Sequence, residues 1–161
     1  VGRPAYSVNW SDIMNHRFYY FMIGLEDGRL LGTSYTSDEM KEQLEAVKPA
    51  MEEAPDKIEQ IKEQAARFLA ENMGMRESYD RVRSCYRTTS EEGVNTRVDV
   101  LFVKEDKEAH LLECSWDGTV IAYSVVTEKD YEEQSEIIRE AMAKRYTKEY
   151  GREVTVENVW D

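Results

Sequence analysis

The sequence is short of the residues that usually announce chemistry. Its 161 residues include two histidines (His16, His110), two cysteines (Cys85, Cys114) and three prolines. HExxH, CxxC, GxSxG and phosphate-loop patterns are all missing. Gly24, Gly28 and Gly32 recur at regular spacing. They lack the lysine and the strand–loop–helix context of a phosphate loop, so they read as turn and strand glycines. Long hydrophobic runs are also missing. The longest apolar stretch, Phe18 to Ile23, falls far short of the ~18 residues that span a bilayer, so no membrane insertion is expected from this stretch of chain. No signal-peptide pattern is present; because the chain opens on Val1 rather than Met, that absence excludes nothing.

Basic charge is scarce as well. Lys and Arg number 21 against 33 Asp and Glu, for a net charge of −12. A nucleic-acid binder carries the opposite balance, concentrated in a basic stripe. No nucleic-acid partner is therefore expected, and a protein or peptide is. The acidity has two readings: ordinary solubility, or an acidic inhibitor that mimics nucleic acid and blocks a basic groove of an enzyme.

The sequence does contain aromatics, turn signals and periodicity. Ten Tyr, four Phe and three Trp argue against disorder. Trp10, Trp116 and Trp160, with the tyrosines, exceed what a core needs, and aromatics anchor interfaces. Tyr6–Trp10 alternates as a short strand, and Arg17–Leu25 (RFYYFMIGL) suits a buried one. Asp27-Gly28 marks a hairpin turn before a strand at Leu30–Tyr35. Thr36 with Glu39 fits a capping box. Met40, Leu44, Val47 and Met51 follow as a helical stripe, with a kink or stop at Pro49. A second helix opens near Pro55, with Ile58, Ile61, Ala65, Phe68, Leu69 and Met73 on one face, and stops at Gly74.

Strands are then expected at Arg81–Thr88, Arg97–Val103, Ala109–Trp116 and Thr119–Val126, the last two joined by Asp117-Gly118. Thr127 with Asp130 caps a helix over Tyr131–Tyr150, whose apolar face is Ile137, Ile138, Ala141, Met142 and Tyr146. Gly151 stops it, and Val154, Val156 and Trp160 read as a final strand.

One unit recurs. Leu25–Thr36 (LEDGRLLGTSYT) overlies Ser115–Val126 (SWDGTVIAYSVV) at an offset of 90 residues, and Val8 and Phe21 fall over Val98 and Leu111. Each half then runs into a capped helix ending in glycine, and a strand. Residues 1–90 and 91–161 thus read as two related βββαβ units, the first with an extra helical segment, sharing one domain.

The stretch Ile58–Val126, with AARFLAENMGM, YDRVRSCYRT, TRVDVLFV and the hairpin at Asp117-Gly118, resembles a PepSY-like or more broadly cystatin-like unit, a helix cradled by an antiparallel meander. The resemblance implies a non-enzymatic binding, inhibitory or regulatory module, often in the cell envelope. It carries over no catalytic residue, and no inhibitory loop signature is present.

Candidate chemistry is thin. His110 and Cys114 share a strand face but stand about 13 Å apart at ~3.3 Å per residue, too far for a thiolate–imidazole pair. Cys85 and Cys114 flank the Arg97–Val103 strand of a simple meander, ~10 Å apart, beyond disulfide reach. The glutamates at 52, 53, 132, 133 and 136 read as solvated helix faces, so no metal or other cofactor is expected. Arg81, Arg83 and Arg87 share one strand face and are the candidate binding residues. They form either a recess for a carboxylate, phosphate or acidic peptide, or partners for the protein's own surplus acids. The expectation is an α+β protein, with antiparallel β-sheets and helices packed on one face. The expected role is not that of an enzyme but of a binding or regulatory module working through sheet surface or edge strands.

Overall fold

The computed structural model describes residues 3–46, 54–88 and 96–151. The sequence expectations for Val47, Pro49 and Met51 and for the final strand at Val154–Trp160 lie outside these. The fold is α+β: β1 (Ala5–Asp12), β2 (Arg17–Gly24), β3 (Leu30–Ser37), α1 (Asp38–Ala46), α2 (Ala54–Asn72), β4 (Arg81–Thr88), β5 (Thr96–Val103), β6 (Ala109–Ser115), β7 (Val120–Val126) and α3 (Glu128–Tyr150). The strands form one seven-stranded antiparallel sheet in the order β1-β2-β3-β7-β6-β5-β4.

Two three-strand meanders therefore meet at β3 and β7. Thr33 lies directly opposite Tyr123, the pair that the 90-residue offset superposes, as two antiparallel strands related by a local two-fold require. This is compatible with two related units. Away from the axis the match slips by a residue per strand. Following the ladder outward, Phe21 corresponds to Leu112 and Val8 to Val100, because each connection in the second meander is one residue shorter.

Both Asp-Gly turns form, but not as the two-residue type in which both residues have positive φ. Only Gly28 (φ 64°) and Gly118 (φ 90°) enter the left-handed region. Asp27 Oδ1 accepts from the Arg29 amide at 3.0 Å and Asp117 Oδ1 from the Thr119 amide at 2.9 Å. These local bonds favour longer loops in which the glycine forms a bulge. The cap of α1 is Ser37, whose Oγ accepts from the Met40 amide at 3.1 Å, one residue beyond the expected Thr36. At α3 the expected cap holds: Thr127 Oγ1 accepts from the Asp130 amide at 3.1 Å, and the Gly151 amide donates to the Thr147 carbonyl.

The main core lies between α2 and one face of β4–β7. Ile58, Ile61, Ala65 and Leu69 pack on Tyr86, Val98, Val100, Phe102, Leu112, Cys114 and Tyr123. Each large apolar side chain so buried contributes about 1.5–3 kcal/mol.

The sequence suggests helices packed on one face; in the structure α3 also reaches the other. Tyr131 of α3 packs with Cys85, Leu101, Val103 and Ala109 on the opposite side of the sheet. Met142, Ala143 and Tyr146 join the main core, and Ile138 touches both clusters. Between them Arg139 donates to the Ser84 carbonyl. α3 thus crosses the outer margin of β4 and covers a strand edge whose backbone groups otherwise invite pairing. Its buried line runs through Tyr131, Ser135, Met142 and Tyr146, leaving Ile137 exposed.

Candidate functional site

The arginine strip predicted on β4 forms, and each guanidinium group meets the protein's own carboxylates. Arg81 grips Glu128 with Nε (3.1 Å) and Nη2 (2.7 Å). Arg83 Nη1 donates to Glu132 at 2.6 Å, and the Arg83 Cζ lies 5.3 Å from the centroid of the Tyr131 ring. Arg87 contacts Asp99 at 3.1 Å and Glu113 at 2.8 Å, and Arg97 completes the cluster against Glu113. The hydrogen bond to Arg81 holds the Glu128 carboxyl below the usual carboxylate range. Burial pushes Asp99 up to about 6, against the opposing pull of Arg87. The strip therefore ties β4 to α3 at one end and to β5 and β6 at the other.

Both cysteines are buried thiols outside any disulfide. In the strand registers Cys85 opposes Asp99 and Asp99 opposes Glu113, so Cys114, one residue on, faces the other side of the sheet. His110 is buried, with Nδ1 2.9 Å from the Tyr123 hydroxyl. Among the described residues no group of three or more His, Cys, Asp or Glu is placed to hold a metal ion, and no helix is long and apolar enough to cross a membrane. A cleft of about 370 Å³ lies between α1 and the β6–β7 turn, lined by Met40, Leu44, Thr96, Trp116 and Asp117. Ser115 also lines it and donates its hydroxyl to the Asp117 carboxylate, which accepts from the Thr119 amide as well; no histidine or cysteine is among the lining residues.

The other distinctive surface is apolar. One row of side chains crosses all seven strands on the α2 face: Val8, Phe21, Thr33, Tyr123, Leu112, Val100 and Ser84. α2 covers the β4–β7 end of this face. Over β1–β3 the same face presents Tyr6, Val8 and Trp10, at 63%, 44% and 58% exposure, beside half-buried Tyr19, Phe21, Ile23 and Tyr35. Trp10, Tyr19 and Tyr35 form a tilted stack with centroids 4.9 and 5.0 Å apart. Ile13 and Met14 extend the apolar surface at the hairpin tip, where Asp12 accepts from both the amide and the side chain of Asn15.

The aromatic surplus was legible in the sequence, Trp10 by name; that β2 would be half-covered was not. The available signal was β1, where Tyr6, Val8 and Trp10 alternate with Ser7, Asn9 and Ser11. Comparison of the chain with family models, with curated proteins and with solved structures returns no match.

Proposed function

We propose that this is a non-catalytic protein-binding module whose contact surface is the aromatic face of β1–β3. The observation that carries the reading is the open apolar face itself. A chain with 34% charged residues leaves Tyr6, Val8, Trp10, Ile13 and Met14 exposed along one side and one end of a hairpin. Contiguous patches of this kind mark interaction sites, and Trp and Tyr are the residues that anchor them. The resemblance to PepSY-like and cystatin-like units, whose members bind rather than catalyse, supports the same reading and suggests the cell envelope as its setting. The arginine strip of Arg81, Arg83 and Arg87 ranks below this face as a binding surface because its charges are already paired.

The test is partner capture by the immobilised chain. Val8→Asp and Trp10→Asp should abolish capture, and Arg81→Ala should leave it intact. Capture that survives both aspartates would overturn the reading. A second reading, an acidic inhibitor of a basic groove, rests on the net charge of −12. It requires binding that weakens steeply with salt, whereas contact through the apolar face is salt-tolerant.

A further inference from the structure

We infer that the aromatic face of β1–β3 is a docking site for an amphipathic α-helix carrying apolar side chains at the spacing of Ile58, Ile61, Ala65 and Leu69. This rests on the reading of that face as a binding surface and adds the conformation and chemistry of the partner.

The geometry points to a helix because the structure shows the corresponding face filled by one. Taking Thr33 opposite Tyr123 as the axis, the strand registers place Tyr6, Val8 and Trp10 where the second meander has Val98, Val100 and Phe102. They likewise place Ile23, Phe21 and Tyr19 where it has Cys114, Leu112 and His110. The six residues of the second meander are all buried. Those packed in the main core lie against the Ile58, Ile61, Ala65 and Leu69 stripe of α2. The six of the first meander are apolar or aromatic at every position and lie exposed or half-buried.

The helix that follows the second meander does not supply the missing cover among the described residues, because α3 turns to β4 instead. The first meander therefore presents, on a sheet of the same register, the kind of surface on which this chain already seats a helix. The net charge of −12 favours a docking helix whose outer side is neutral or basic.

The probe is a peptide of residues 54–72, α2 itself, held helical by a staple between positions 59 and 63. Both positions are exposed in the fold, so the staple stays off the docking side. Stapling lowers the nucleation cost that a free helical segment pays in water. The full chain, ¹⁵N-labelled, is titrated with the peptide. The expected result is saturable shifts of β1–β3 amides centred on Val8, Trp10, Tyr19 and Phe21. Binding should weaken about tenfold or more when the peptide carries Ile58→Asp with Ile61→Asp, or when the chain carries Val8→Asp with Trp10→Asp.

Amides of β1–β3 that stay unmoved at millimolar peptide would overturn the inference. So would equal shifts with the doubly substituted peptide. At pH 7 and low salt, shifts that track the chain's own concentration without peptide identify a second copy as the occupant and also overturn it. If the peptide fails while partner capture still depends on Trp10, the helix is wrong and the binding face stands. If capture is indifferent to Trp10 as well, the face itself is wrong.

Discussion

Asp99 sits on β5 opposite Cys85 in the strand register and pairs with Arg87, with one carboxylate oxygen lacking a hydrogen-bond partner among the described residues. Burial outweighs Arg87 and raises its pKa from 3.8 to about 6. The native state therefore holds this proton more tightly than the unfolded chain does. Between roughly pH 4 and 6 the unfolded state binds fewer protons, so this residue's contribution to stability falls as pH rises and is constant above. At about 1.4 kcal/mol per unit, the effect is on the order of 3 kcal/mol. Urea unfolding of Asp99→Asn against the parent should show a difference that grows across this window and is flat above it; a pH-independent difference would remove Asp99 as the cause. Its neighbours behave differently. The Cys114 thiol is pushed up to about 12, first by burial and then by Asp99 and Glu113, and Cys85 is buried behind Tyr131. Neither thiol should react with a disulfide reagent in the folded chain, and both should react in denaturant. Rapid labelling of the native protein would contradict the burial of these side chains.

At the scale of elements, α3 acts as a strap over the β4 margin. It is fixed by the Thr127 cap, by the Arg81–Glu128 and Arg83–Glu132 pairs, and by Tyr131 beneath Arg83. Thr127→Ala should cost about 1 kcal/mol through the lost cap. Arg83→Ala should cost a similar ~1 kcal/mol through the lost ion pairs with Glu128 and Glu132 and the cation–π contact with Tyr131. In native-state hydrogen exchange both should speed the amides of β4 and leave β2 and β3 unchanged; uniform acceleration would mean that α3 guards no single edge. The sequence disclosed much of this element and little of its course. The Thr127 cap, the Gly151 stop and the helical period were legible because they are local. The side to which α3 turns depends on Glu128 and Glu132 finding Arg81 and Arg83, 47 to 49 residues away, and no local pattern encodes that. The same holds for β2. Its aromatic run reads as a buried strand, but burial was decided by which meander α2 covers. The arginine strip was legible as a strip, and its pairing followed from the surplus of acids; the aromatic face needed the registers of three strands at once.

For the molecule as a whole, two features pull in opposite directions. The net charge of −12 drives copies apart, while the face of Tyr6, Val8, Trp10 and Phe21 offers them an apolar contact. At neutral pH and low salt, repulsion over a screening length of about 10 Å or more should keep the chain dispersed. Lowering the pH toward the sequence pI of about 4.7 removes most of that charge, and association through the face should then appear. Light scattering as a function of pH should show attraction growing from pH 7 toward 5 in the parent chain. It should be much reduced in a Val8→Ser, Trp10→Ser variant, which changes no charge and alters residues outside both apolar core clusters. If both proteins associate alike, general charge loss is sufficient and the face plays no part. If only the parent does, acidity is what keeps the aromatic face from pairing with a second copy at neutral pH and leaves it open for the proposed partner, so the composition and the open sheet are two halves of one arrangement.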